Sequence, residues 1–486
     1  MATTSITTST RASTKASTTA KAITRTTEPT HEGAPLHSKI VIVGGGAGGL
    51  ELACKLGRRL GPEQVMLVDS RLYHIWKPSL HEVAAGTLDI HQEGLSYQML
   101  AHDNGFTFAY GPMTALDPHA RTLTVAAITT AEHEEVLPQR VISFESLVLA
   151  VGSTSNYFGV PGAKEHTISL NATEDAERFR LTLLKLLTKA ALRKGQGAAP
   201  DRGATPASPA PGSTGPGSAG VDIVIIGGGA TGVELAAELR EATGVYASYG
   251  FGHLEAMRDV RITLLEGAPR ILAPLPERVS AAALRLLGER AIKVVTNTRV
   301  TAIAPDAVTT QEGGRYPSDI VVWAAGIKAP DLLATLGLPT VKGGQLDVAA
   351  NLAVQGFPYI YGLGDCAFCK GADGKPVPPR AQAAHQQADY LAERFLREAA
   401  GKPASTLPYV YRDYGSLVSF GQTSSVGSLM GSLKGLNWFV DGFVARLMYT
   451  SLHLMHHQAV LGTVRTAVLA LARFLIKRST PLVKLH

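Results

Sequence analysis

Cysteine is nearly absent: Cys54, Cys366 and Cys369 are the only three in 486 residues, too few for a disulfide framework or a four-cysteine zinc site. That scarcity excludes the small secreted scaffolds and points to a reducing compartment. Long apolar runs are missing too. No stretch reaches the roughly 18 uncharged apolar residues of a spanning helix, so the chain would meet a membrane only from one side. Acids are missing from one end, since residues 401–486 carry nine Lys and Arg against Asp413 and Asp441 alone, a net +7. Residues 1–35 add four cations and two acids, which leaves 33 basic and 36 acidic groups for residues 36–400. The overall +6 is therefore a basic C-terminal tail on a slightly acidic body, a polarity that suits a tail facing anionic lipid or nucleic acid.

With 45% hydrophobic residues, the chain has the apolar content to build two or three packed domains. Residues 1–35 are mostly Thr, Ser and Ala and are expected to be a disordered leader. A second low-complexity run, 195–220, rich in Ala, Pro, Ser and Gly, reads as a flexible surface insertion. Elsewhere short β-branched segments alternate with helical ones, the pattern of an α/β fold. Ile40-Val41-Ile42-Val43 is a buried strand, a helix follows through Leu50, Leu52 and Leu56, and Val65 to Val68 form the next strand. The cycle restarts at Ile223-Val224-Ile225-Ile226, with a helix through Val233, Leu235 and Leu239 and a strand from Val260 to Leu265.

Each of these βαβ units carries G-x-G-x-x-G at its strand-to-helix turn: Gly44, Gly46, Gly49 and Gly227, Gly229, Gly232. The first glycine permits the tight turn, the second lets the backbone approach a pyrophosphate, and the third lets helix and strand pack closely. In both, the next strand ends in an acid suited to an adenine-ribose diol, Asp69 and Glu266. Two complete fingerprints imply two dinucleotides. Glu266 would repel a 2′-phosphate, so NADH is expected rather than NADPH, with Arg261 and Arg270 as solvated arginines rather than a phosphate clamp.

Leu149-Ala150-Val151-Gly152-Ser153 between the two units and a late Gly362-Leu363-Gly364-Asp365 complete a resemblance to the two-dinucleotide-binding flavoproteins. Within them, Gly229-Ala230-Thr231-Gly232-Val233-Glu234-Leu235-Ala236, Trp323-Ala324-Ala325-Gly326-Ile327-Lys328-Ala329-Pro330, Pro379-Arg380-Ala381-Gln382-Ala383-Ala384-His385-Gln386-Gln387 and Tyr411-Arg412-Asp413-Tyr414-Gly415-Ser416-Leu417 resemble the type II, non-proton-pumping NADH:quinone oxidoreductases. The resemblance implies two Rossmann-like domains, the NADH domain inserted in the FAD domain, and a C-terminal amphipathic helical tail that associates with the membrane. It divides the chain into an FAD-binding first half at 36–172, an NADH-binding domain at 173–330, an FAD-binding second half at 331–400 and the tail at 401–486. FAD would be held with the help of Gly152, Gly364 and Asp365, and NADH with the help of Gly326. Glu234 is implied near nicotinamide and flavin, although an acid in a first helical turn is also stabilised by the helix dipole alone. The implied reaction passes a hydride from NADH to flavin and then two electrons to ubiquinone or menaquinone, by an enzyme peripheral to the cytoplasmic face of a bacterial inner membrane or to a mitochondrial inner membrane. A homodimer is expected and nucleic acid is not.

Several residues carry competing readings. Cys366 and Cys369 have C-x-x-C spacing but read as small buried hydrophobes, and no metal is expected. His74, His81 and His91 read as surface and loop histidines, and Lys77 as a solvated lysine. Gln382 and Gln386, one helical turn apart, would aim two amides at a quinone carbonyl. In the tail, Arg446, His453 and His457 form a polar stripe with Val444, Met448 and Met455 opposite. Trp438, Phe439 and Phe443 would be aromatic anchors, and Arg465, Arg473, Lys477, Arg478 and Lys484 a positive charge for lipid. The rival functions are a sulfide:quinone oxidoreductase-like or other flavoprotein reductase, and a non-catalytic NADH sensor.

Overall fold

The computed structural model describes residues 36–197, 220–249, 251, 253–372, 374–403, 407–421, 424–430, 437–476 and 483–484. The expected leader, and the insertion from 198 to 219, lie outside them. The chain opens with β1 (Leu36–Val43), α1 (Ala47–Leu60) and β2 (Val65–Asp69). In α1, buried Leu50, Ala53, Cys54 and Gly57 fall at helical spacing on the side turned to the core, where Gly57 packs against the backbone of Asn104 and Gly105. A short helix α2 (Leu80–Ala85), β3 (Thr107–Tyr110) and β4 (Arg140–Leu149) follow. β1 is central, parallel to β4 on one side and to β2 on the other, which explains why Val41 to Val43 are apolar on both faces.

The chain then leaves this sheet through α3 (Thr173–Gly197) and builds a second: β5 (Val221–Ile226), α4 (Ala230–Tyr249), β6 (Val260–Leu265), β7 (Ile292–Val295) and β8 (Ile320–Trp323). Its strands are all parallel, in the order Ile168–Ser169, β8, β5, β6, β7. Ile168–Ser169 pairs with β8, so strand pairing assigns this segment to the second unit, ahead of residue 173. The chain returns to the first sheet as β9 (Phe357–Gly362), parallel to β4, and closes it with α5 (Ala381–Ala399). The second unit is thus inserted between adjacent strands of the first. Helix α5 lays Ala384, Ala388, Leu391 and Phe395 inward, and the small side chains let it approach α1 closely. A Cβ on Gly48 would lie 2.9 Å from the Ala384 carbonyl oxygen.

The tail begins with three antiparallel strands, β10 (Gly415–Phe420), β11 (Ser424–Met430) and β12 (Asn437–Asp441), and continues as α6 (Gly442–Leu461) and α7 (Thr463–Ile476). Val418 and Phe420 enter the core of the second unit, and Val460 enters that of the first. The polar stripe expected on α6 is turned the other way. His456 and His457 are buried against the body, whereas Leu447, Leu452 and Met455 point outward. On α7, Val464, Val468, Leu471 and Leu475 are exposed at i, i+4, i+7 and i+11. Three of the tail's charges pair with the body as well: Arg473 and Lys484 turn inward to Glu93 and, at 3.0 Å, Asp89, and Arg465 pairs with Asp103 at the surface. The body's own acids therefore take up cations that the sequence suggested were for lipid. The side chains of Trp438, Phe439, Phe443, Val444 and Arg446, and all of Lys477 and Arg478, lie outside the described residues.

Candidate active site

The two glycine turns have the same construction. Gly44 and Gly227 take φ of +103° and +112°, and a Cβ on either would strike backbone of the neighbouring crossover, Ala150 oxygen at 2.4 Å and Ala324 carbon at 2.6 Å. Gly49 and Gly232 are fixed by contact, since a Cβ there would stand 2.0 Å from the carbonyl oxygen of the first glycine in each motif. Around Gly46 and Gly229 the space is open to 4 Å. That open cradle lies at the N-terminus of a helix with no acid in its first turn, in α1 and in α4, and fits a pyrophosphate; Glu234, the fifth residue of α4, falls beyond the first turn in which the sequence placed it. The acids sit alongside. Asp69 accepts from the N–H of Gly45 at 2.6 Å and of Arg71 at 2.8 Å, and burial holds its carboxyl above the ordinary value. Glu266 accepts from Gly228 N–H at 2.5 Å and from Ala268 N–H at 2.6 Å. Each carboxylate oxygen keeps a second lone pair for a ribose hydroxyl.

Both arginines near Glu266 are committed elsewhere rather than solvated. Arg261 forks onto Asp222 at 2.6 and 2.7 Å, and Arg270 donates to the carbonyls of Leu272 and Leu275 and to Ser280 Oγ.

At the other end of the crossovers, Gly152 and Gly364 adopt φ of +69° and +72° and flank Asp365. Ser153 Oγ donates to Asp365 Oδ2 at 2.7 Å, and Lys77 Nζ donates to the Ser153 carbonyl at 3.1 Å. Gln387, buried on α5, accepts from Gly364 N–H at 2.7 Å, and Gln345 donates to the Asp365 carbonyl at 2.8 Å. A small cleft beside Asp365 is lined by Gln345, Gly364, Arg380 and Gln387. Gly326, at φ +103°, accepts from Asn156 N–H at 3.1 Å and lies against Phe158.

Gln382 and Gln386 do share one face of α5, and both amides hold the segment before β10. Gln386 exchanges two hydrogen bonds with the Arg412 backbone, at 2.8 and 2.9 Å. Gln382 accepts from Tyr414 N–H at 3.1 Å and donates to the Gly415 carbonyl at 3.0 Å and to Asp413 at 3.3 Å. Arg380 also pairs with Asp413, at 3.2 Å.

Glu234 lies in a buried acidic pocket. Its Oε1 accepts from Ser419 N–H on β10 at 3.0 Å, and His81 Nδ1 is 3.9 Å from Oε2. Burial pushes its carboxyl up to about 7, and Glu238, one turn later and bound by the Thr87 hydroxyl, is likewise pushed up to about 7 by burial. Tyr449 of α6 has its phenol raised by burial and by these acids.

The histidines expected on the surface are divided. His91 is exposed, but His74 and His81 are buried. His74 Nδ1 bonds the Gly45 carbonyl at 2.9 Å, and burial pulls its imidazole down to about 4. His385 and His456 pack on Trp76, with ring centroids 5.7 and 4.3 Å away. These partners, with Glu51 on α1, were not singled out from the sequence. Glu51 and His385 lie inside or beside the motif segments, and an acid set among Leu50, Leu52 and Ala53 on the first helix is the one signal the sequence carries. Cys366 and Cys369 are buried and unpaired. Burial pushes their thiols up to about 12 and about 11, and Cys366 Sγ donates to the Leu363 and Leu149 carbonyls. A thiolate nucleophile is therefore disfavoured there.

A family model for pyridine nucleotide-disulphide oxidoreductases matches residues 38–388. The chain is 36% identical over 451 residues to the type II NADH:quinone oxidoreductase of Haemophilus influenzae, covering 92% of this chain and 99% of that one. Its fold is similar to that of NDH2 from Plasmodium falciparum, with a TM-score of 0.72 at 17% identity over 92% of this chain and 100% of the other. The sulfide:quinone oxidoreductase of Aquifex aeolicus is a more distant match in fold, with a TM-score of 0.62 at 18% identity over 91% and 95% of the two chains.

Proposed function

The chain belongs to the pyridine nucleotide-disulphide oxidoreductases and, within them, to the type II NADH:quinone oxidoreductases, and from that membership we propose which of its residues carry the reaction. It is a flavin-dependent enzyme that oxidises NADH and reduces a quinone. Bound flavin supplies the two-electron acceptor for hydride and the two-electron donor to quinone. The flavin is FAD: the Gly44–Gly49 turn would seat a pyrophosphate, and Asp69 the adenosine ribose that FMN lacks. Asp365, held by Ser153, and Gly152 and Gly364 would hold the flavin's ribityl and phosphate portion. Gly227, Gly229 and Gly232 would seat the NADH pyrophosphate, with Glu266 on the ribose diol and Gly326 bordering the nicotinamide half. The single observation that carries this reading is the pair of open glycine cradles, each with a carboxylate at its edge, at the ends of parallel strands in two separate sheets.

Quinone reduction consumes two protons. Glu234, pushed up to about 7, holds a proton near neutral pH and is the acid proposed to supply one of them. Gln382 and Gln386 would form the quinone site by fixing residues 412–415. The Gln382 contact to Asp413, at 3.3 Å, is its longest and the one a quinone carbonyl would replace.

Among the described residues, no helix is long and apolar enough to cross a membrane. The outward apolar stripe of α7, with Leu452 and Met455 of α6, would lie in the interface of the cytoplasmic leaflet and bring the site to a lipid-dissolved quinone. A homodimer would bury the same stripe; vesicle flotation compared with sizing in solution separates the two. Steady-state NADH oxidation with a short-chain quinone, together with chromatography of the extracted flavin, tests the proposal. FAD with quinone-dependent turnover is expected, and FMN or turnover indifferent to quinone would refute it.

A further inference from the structure

The protons of the histidine cluster can be assigned by elimination. The Gly45 carbonyl can only accept, so His74 Nδ1, 2.9 Å away, carries a proton. Buried His74 is neutral, which leaves its Nε2 a bare acceptor. His456 Nε2, 2.8 Å from it, must then be the N–H donor. The remaining nitrogen, His456 Nδ1, is consequently a lone pair. It is fully buried on a residue only 1% exposed and has no hydrogen-bond partner. A buried lone pair without a donor is costly, and a cation bound there would relieve it.

Two further donors lie close to this histidine, since one ligand atom each from Glu51, His385 and His456 lies within 4.8 Å of the others. Glu51 Oε2 and His385 Nδ1 are hydrogen-bonded to each other, so a bound cation would take the place of the proton they share. We propose that Glu51 on α1, His385 on α5 and His456 on α6 form a binding site for a zinc-type divalent cation that clips helix α6 of the tail to the flavin-side unit. Two imidazoles and a carboxylate are a known zinc donor set, with bonds of about 2.0–2.2 Å, and side-chain movements of about 1 Å would close this one. The outer support is already in place. The His456 N–H is held by His74, which is in turn anchored to backbone, as ligating histidines usually require. Trp76 covers the His385 and His456 rings. Lys55 opposes the cation, since it bonds the other Glu51 oxygen, but it also pairs with Asp389, so the local charge of the three is net negative. A second group, Glu93, His453 and His457, is a weaker candidate because Arg473 already contacts both Glu93 and His457.

The test uses flavin-loaded full-length protein, stripped with chelator and dialysed against Zn²⁺ or Co²⁺. About one ion per chain is expected in the wild type, with binding at least tenfold weaker in His456→Ala and Glu51→Gln at unchanged flavin content. Zn²⁺ should also raise the melting temperature of the wild type and leave that of His456→Ala unmoved. Metal content well below one per chain, or equal retention in both variants, would overturn the site. Should the variants fail to fold, the visible spectrum of the wild type with Co²⁺ decides: tetrahedral bands uphold the site and an octahedral aqua-ion spectrum refutes it.

Discussion

Glu234→Gln tests the buried acid directly. Burial moves this carboxyl from an ordinary 4.5 to about 7, which favours the protonated folded form by about 3 kcal/mol at about 1.4 kcal/mol per pH unit. Below pH 4.5 both folded and unfolded chains hold the proton and nothing is lost. As pH rises towards 7 the unfolded chain releases it while the folded one retains it, so stability falls through that window. Glutamine keeps an oxygen for Ser419 N–H and has no proton to lose. Because Glu238, also at about 7, shares the strain, one substitution should recover about half, or 1–2 kcal/mol. Thermal unfolding of flavin-loaded wild type and variant between pH 5 and 8 should show a melting-temperature gap that widens by roughly 1–2 °C in favour of the variant. A constant gap, or a variant that is weaker at pH 8, would refute the reasoning. The same variant should lose about 10²-fold or more in quinone turnover if Glu234 delivers a proton.

Glu266→Ser should raise the NADPH-to-NADH ratio of kcat/KM about tenfold by removing like-charge repulsion, while Glu266→Gln should impair both nucleotides because its NH₂ would face Gly228 or Ala268 N–H; steady-state kinetics with both cofactors decides. Cys366→Ala with Cys369→Ala should keep NADH:quinone turnover within about twofold, since thiols raised to about 12 and about 11 do not attack; loss of turnover at normal flavin content would restore a redox role. Gln382→Ala and Gln386→Ala should each slow quinone turnover while NADH still reduces the flavin at its normal rate, as followed by rapid mixing. Val468→Asp with Leu471→Asp should release the protein from anionic vesicles and spare its activity with a short-chain quinone. Cutting the chain after Leu436 is a poorer test, because it would also remove Val460 and His456 from the body.

The two βαβ units were legible because their signals are local: an apolar strand, three glycines at fixed spacing and an acid at the next strand end. Insertion of one unit in the other was legible only through a family resemblance, since pairing of β4 with β9 spans more than 200 residues. The tail misled for an instructive reason. A helical stripe shows which residues share a face but not which face meets water, and the inward turn of His456 and His457 depends on acids, Trp76 and backbone contributed by distant segments. The roles of Glu51 and Gln387 were hidden likewise, because an acid or amide on a helix reads as solvated until its partner on another helix is known.

The central claim is that this one chain joins NADH oxidation to quinone reduction through its flavin. Anaerobic mixing of purified protein with one equivalent of NADH, followed by one equivalent of a short-chain quinone, tests it most directly. The account predicts that the flavin absorbance bleaches with NADH and returns in full with quinone. Flavin that NADH leaves oxidised, or that bleaches and stays reduced after quinone is added, would contradict it.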